Sequence, residues 1–221
     1  GSTFYVGSVD AGVNNGATTF SYDFALDLNT SFTGEDSLDV AIIGGNAMGA
    51  LSAVDAYMNG DGTGDVLTLD GIAYTFPLGG FTVTAGDGVG VDDLNTGACA
   101  YSAFTDTISD CGTSNVGGEA DSAVAVSYDF GNGFTAAGGL GFGTEDSGIF
   151  SDQDASTIGL EGAYTADVYG VSLAYTDDDG NGAGNFYSLQ AAFTPDSIYS
   201  ISAGYETDQD FGDTLAPLLA R

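Results

Sequence analysis

The run Thr19–Leu38, TFSYDFALDLNTSFTGEDSL, sets the reading of the whole chain. Phe20, Tyr22, Phe24, Leu26 and Leu28 fall on one parity, while Thr19, Ser21, Asp23, Ala25, Asp27 and Asn29 fall on the other. Side chains of an extended chain alternate sides with a period of two, so this is a long strand with one apolar and one polar, acidic face. A Gly-containing turn at Phe32–Asp36 then returns the chain through Leu38, Val40 and Ile42. Strand, tight turn, strand and looser loop recur to the C-terminus.

Working outward, the alternation predicts strands at Ser2–Val9, Thr18–Thr30, Ser37–Ile43, Asp65–Phe76, Gly80–Gly86, Ser122–Phe130, Gly133–Phe142, Ser156–Thr165, Val168–Thr176, Asn185–Thr194 and Ser197–Glu206. A twelfth belongs within Ala98–Ile108 or near the C-terminus. Short turns at Phe32–Asp36, Pro77–Gly80, Gly131–Gly133, Ala166–Asp167 and Pro195–Asp196 carry the Gly, Asn, Asp and Pro that hairpins need. They alternate with longer polar loops, of which 44–64 and 87–121 are the longest. Within the first of these, GGNAMGALSAV (Gly44–Val54) has small residues at helical spacing and fits a short helix as well as an extended segment. One trimmed rim and one elaborated rim are the mark of an up-and-down sheet. The expectation is a single all-β domain over 1–221: an antiparallel up-and-down β-barrel of about 12 strands. The alternative is a β-rich subunit of an extracellular filament or coat, since a soluble sandwich shows the same alternation. Gly139, Gly141, Gly159, Gly170 and Ala174 on the second face suit a lumen or a close-packed sheet better than a solvated exterior.

Composition narrows the function. Asp and Glu number 32 against one basic residue, for a formal net charge of −31, and there is no His or Trp. The basic residue is Arg221, so nucleic acid is excluded as a partner: phosphate binding needs Lys or Arg. Nucleophilic triads lack their base. A carboxylate pair could serve a glycosidase, yet among so many acids chance proximity is the rule, and the chain is not expected to be an enzyme. Hydrophobic content of 43% and only 3 Pro argue against the disorder that high charge suggests. No run of about 18 apolar residues exists to form a membrane helix. The start at Gly1-Ser2 shows no leader pattern, which fits a mature or trimmed chain. Cys99 and Cys111, with no His nearby, are better read as a disulfide than as zinc ligands, and that points outside the cytoplasm.

Two stretches carry a resemblance. LNTSFTGEDSLDVAIIGGN (28–46) and LTLDGIAYTFPLGGFTVTAGDGVGVDD (67–93) resemble the first half of cyanobacterial outer-membrane porins, the group with an S-layer-homology domain ahead of its barrel. The LNTSFTG turn, the segment Asp70, Ile72, Tyr74, Phe76, Pro77 and the FTVTAG run carry the likeness, which fades beyond about residue 121. The resemblance implies an outer-membrane barrel, a homo-oligomer (trimeric) in contact with outer-membrane lipid, passing ions and small solutes. Positions matching Asp39, Ala41, Ile43, Gly71, Gly88 and Gly90 tend to be basic in the family and are not so here, and the terminal aromatic residue is missing from LAPLLAR. A porin without those bases would prefer cations. The alternative is a secreted polymer at the cell surface: a filament, sheath or coat.

Asp23, Asp27, Asp39, Asp70 and Glu161, on polar strand faces, are the candidate pore-lining residues, lowering the energy of cations and raising that of anions; the competing reading is a solvated sheet face. Asp177, Asp179 and Asn181 open a D-x-D-x-N-G pattern of a calcium loop, with Ser188 where the closing Glu belongs. Asn59, Asp61 and Asp65 form a looser version. Calcium is the only cofactor these motifs suggest, and Gly/Asp-rich turns explain them too. The many tyrosines, Tyr164 and Tyr175 among them, fit interfacial girdles or ordinary cross-strand packing.

Overall fold

A computed structural model of the chain describes residues 1–8, 18–46, 63–96, 122–142, 156–178, 184–195, 200–208 and 212–220. It contains twelve strands: β1 (Ser2–Ser8), β2 (Thr18–Thr30), β3 (Ser37–Gly45), β4 (Thr68–Leu78), β5 (Phe81–Asp87), β6 (Ser122–Gly131), β7 (Phe134–Phe142), β8 (Ser156–Thr165), β9 (Tyr169–Asp178), β10 (Gly184–Phe193), β11 (Ser200–Asp208) and β12 (Gly212–Ala220). They form one sheet in sequence order, an antiparallel up-and-down meander. The order begins at β1 and ends at β12, with no pairing between those two among the described residues. The twelfth strand is the C-terminal one; Ala98–Ile108 lies outside the described residues, as does most of Gly44–Val54. The chain divides into two compact units, Gly1–Ile72 and Ala73–Arg221.

In the first unit the opening stretch folds as its residues dictate. β2 and β3 pair from Asp23↔Gly45 to Thr30↔Leu38. Asp36 fixes the turn between them: its Oδ1 accepts from the Ser31 hydroxyl (2.6 Å), the Phe32 N–H (3.0 Å), and the Thr33 N–H and hydroxyl (both 2.8 Å). Gly34 supplies the left-handed residue at φ 86°, a conformation that costs glycine least. The turn therefore holds itself together from within.

The two faces of the sheet are inverted relative to a soluble protein. In the first unit Phe4, Val6, Phe20, Leu26 and Leu28 are exposed, and Ser21 is buried. In the second unit Thr157, Glu161, Ser172, Thr176, Ser188, Gln190 and Ser202 are buried. Their apolar neighbours on the opposite parity, Leu160, Val171, Leu173, Leu189 and Ile201, are exposed, Leu173 by 58%. Water disfavours exposed apolar surface at about 25 cal/mol per Å², and contiguous patches of this kind mark interaction with a membrane or a partner.

Aromatic rings gather at the short-turn ends of β5–β9. Phe81 meets Tyr128 at 4.9 Å between centroids, Tyr128 meets Phe130 at 4.8 Å, Phe134 meets Tyr164 at 4.6 Å, and Tyr164 meets Tyr169 at 5.8 Å. A ring belt at a strand rim is where amphipathic aromatics sit at a membrane–water boundary.

Candidate functional site

The site is built in the second unit by a segment that the sequence reading treated as polar loop. Past the end of β5, Gly88 turns at φ 71° and the chain runs Val89-Gly90-Val91-Asp92-Asp93 back over the small-residue face. Val89 and Val91 are 0% and 1% exposed and pack with Ala123, against which Ala73 is also seated. Asn95 N–H donates to the Asp92 carbonyl at 2.8 Å, closing a turn that delivers Thr96 to β8.

The floor beneath Val91 is a pair of glycines. Gly139 of β7 and Gly159 of β8 are register partners, and Gly139 also faces Ala125 of β6. A Cβ added at Gly139 would collide with the Val91 carbonyl oxygen, and one at Gly159 would fall 2.7 Å from Val91 Cγ2. At Gly139 the Val91 backbone leaves no room for a side chain while the segment is seated, and at Gly159 the Val91 side chain would have to shift to admit one.

Two polar contacts fasten the far end. Thr96 N–H donates to Glu161 Oε2 at 2.8 Å, and the hydroxyls of Thr96 and Thr135 are hydrogen-bonded. Glu161 is only 5% exposed. Among the described residues its second oxygen, Oε1, is buried with no hydrogen-bond partner, and the charge of Asp92 bears on Glu161. At Asp93, outside the strands, partial burial raises the carboxyl above its ordinary range, against a weaker opposing hydrogen bond from Gly90.

Of the five expected lumen carboxylates, only Glu161 belongs to this site. Asp23 accepts the Thr3 N–H at 3.1 Å. Asp27 and Asp39 are exposed in β2 and β3, where Asn29 bonds both Ser37 and Asp39 and the Ser37 hydroxyl reaches Asp39 Oδ2 at 2.6 Å. Asp70 is exposed and shares its parity along β4 with Ile72, also exposed. Among the expected calcium ligands, Asp65 is at φ 64° with Oδ1 accepting the Tyr22 hydroxyl at 2.7 Å, and Asp177 is half-buried opposite Asn185. Asn59, Asp61, Asp179, Asn181, Cys99 and Cys111 lie outside the described residues. Among the described residues no three His, Cys, Asp or Glu side chains group as a metal cluster. A groove of about 470 Å³ in the first unit, lined by Phe4, Tyr22, Phe24 and Leu67 among others, is almost wholly apolar.

No family model matches the chain, and no curated protein sequence matches it significantly. Solved structures do match. A triple mutant of the Rh. blastica porin aligns at a TM-score of 0.60 and 14% identity, covering 96% of this chain and 74% of that one. The fold is that of the bacterial porins. A double mutant of the same porin gives a TM-score of 0.61 at 16% identity over 95% of this chain and 73% of its own. A third match, at a TM-score of 0.59 and 16% identity with the same coverage, is described as "Asymmetric conductivity of engineered proteins". The porin fold accounts for the inverted faces, since barrels of this kind turn apolar residues to the outside and small or polar ones to the inside. The sequence signal for the docked segment was present as Gly88-Val89-Gly90-Val91. Two valines spaced for one face are out of place in a solvated loop.

Proposed function

We propose that the chain is a porin-like channel of an outer membrane, passing cations and small solutes passively, as a homo-oligomer of the cyanobacterial porin kind and trimeric like that group. The observation that carries the reading is the inversion of the two faces: apolar outward, small and polar inward on strand after strand. Such a sheet is at home in lipid, where closed strand pairing satisfies the backbone. In this reading the segment 88–96, seated on the inward face, narrows the lumen from within. Asp23, Asp27, Asp39 and Glu161 make the passage attractive to cations, and the formal charge of −31 does the same at its mouths; Asp70, on the parity of exposed Ile72, is left out of that lining. The Cys99–Cys111 disulfide and calcium at the Asp177 and Asn59 loops complete the proposal for an extracellular rim.

The test is conductance. Detergent-extracted chain reconstituted in a planar bilayer under a salt gradient should give stepwise currents with a reversal potential on the cation side. An anion-preferring or silent preparation overturns the reading. So does recovery of the native material, without detergent, as extended polymers in electron micrographs.

A further inference from the structure

We infer that the outward wall of β8–β11 is cut for a thin hydrocarbon layer, so that the lipid it fits is one of short acyl chains. The inference deepens the porin reading and rests on it, since that reading sets this face in lipid. On β9 the outward residues Tyr169, Val171, Leu173 and Tyr175 are followed on the same parity by Asp177. Their register partners on β10 are Phe193, Ala191, Leu189 and Tyr187, with Asn185 opposite Asp177. Val171, Leu173 and Leu189 are exposed. Rings frame this strip at both ends. Tyr175 and Tyr187 lie 5.0 Å apart between centroids, and the Tyr175 hydroxyl donates to Asn185 Oδ1 in the polar row beyond. At the other end Tyr169 pairs with Phe193, and the strand stops at the turn that carries exposed Asp167. Rings with a polar tip at each boundary are the arrangement that two lipid–water interfaces select, which assigns the strip to lipid rather than to a second copy.

The register supplies the height. The upper apolar edge runs from Ile158 of β8, which is level with Asp177, to Tyr175 and Tyr187, and then to Tyr205 of β11, which is level with Leu189. The edge thus falls two rows over three strand spacings, about 14 Å in each direction. That slope is a strand tilt of about 45°, as transmembrane barrels have. Tyr169 and Tyr175 are about 20 Å apart along their strand, and at such a tilt the strip stands about 15 Å high. Outer-membrane barrels carry an apolar band of about 25 Å between their ring girdles. A bilayer of ordinary depth would have to thin against this wall, and mismatch of that kind costs free energy with every ångström. Short chains remove the mismatch.

Urea unfolding of the full chain tests it, in vesicles of didecanoyl, dilauroyl, dimyristoyl and dioleoyl phosphatidylcholine, with ion flux measured on the same vesicles. The highest midpoint is expected in one of the two shorter lipids. Asp177→Leu combined with Asn185→Leu adds an apolar row, about 5 Å of height, and should move the maximum one step up the series. A parent maximum in dimyristoyl or dioleoyl lipid overturns the inference, as does a maximum that the added row leaves in place. Flux with stability indifferent to chain length overturns it alone, whereas failure to insert into any of the lipids overturns the porin reading with it. The chain has no Trp, so Tyr169→Trp, Leu173→Trp and Tyr175→Trp, made singly, report depth through quenching by brominated lipid. In dilauroyl vesicles the two rim probes should be shallow and Leu173→Trp deep, a readout that decides the matter should the double variant fail to fold. A rim probe quenched from the bilayer centre overturns the thin layer. Leu173→Trp shielded from lipid overturns the lipid assignment and gives the strip to a second copy.

Discussion

Two connections of this molecule are ordered by opposite means. The turn Phe32–Asp36 is held by Asp36, which gathers donors from residues no more than five positions away. The segment 88–96 is held by Gly139, Gly159, Thr135 and Glu161, the last of these 65 positions from its partner Thr96. The first needs only its own residues; the second needs β7 and β8, and Ala123 of β6 beside them, to be in place. A locally bonded turn defines a hairpin, whereas a remotely bonded segment can occupy the inward face and can also leave it.

The largest effect that would break this contrast is Gly139→Leu. The new side chain occupies the place of the Val91 carbonyl, and overpacking of this kind costs about 1–3 kcal/mol. The segment should lift from the face, giving faster hydrogen exchange over 88–96 and a larger single-channel conductance. Gly162→Leu is the control, on β8 with nothing within 4 Å of its added Cβ, and should leave both readouts unchanged. Should Gly139→Leu leave the exchange of 88–96 as slow as before, the segment is self-supporting like the turn and the contrast is lost.

A smaller effect, on the other side of the comparison, is expected from Asp36→Ala. It deletes the common acceptor of the turn, and loss of such a cap costs about 1–2 kcal/mol. Urea unfolding in lipid vesicles should shift by that amount, with Asp36→Asn recovering most of it through the retained carbonyl oxygen. Exchange over 88–96 should not change.

The same contrast accounts for what the residues disclosed in advance. β2 and β8 were legible to the residue, because alternation and flanking turn residues are local properties. The Asp36 turn was legible as a turn for the same reason. Bounds moved elsewhere: β4 begins at Thr68 rather than Asp65, since Gly64 and Asp65 take positive φ and Asp65 N–H bonds the Gly45 carbonyl. Parity placed Glu161 on the second face of its strand, and it is buried there, yet nothing near it in sequence announced Thr96 as its hydrogen-bond partner. The glycines of β7 and β8 suggested close approach without naming what approaches. Val89 and Val91 could be placed only once β6, β7 and β8 stood beside one another.

The smallest expected effect sharpens the comparison through pH. Partial burial raises the Asp93 carboxyl while the segment is docked, so the docked state binds a proton more readily than the released one. By linkage, Asp93's contribution favours docking below its ordinary range and is lost as pH rises through the raised one. Asp92 and Glu161 are further acidic groups at the same segment, so the unaltered chain alone cannot isolate the effect. Asp93→Asn is neutral throughout and does isolate it. Over the carboxylate range, docking followed by exchange corrected for intrinsic rates should weaken less steeply with rising pH in Asp93→Asn than in the parent. The difference should be slight because Asp93 keeps much of its contact with water, where charge is well solvated. The Phe32–Asp36 turn, which contains no part of this carboxylate system, should hold the same protection in both chains. A parallel response there would mean that pH acts on the whole sheet, and the two connections would no longer be independent.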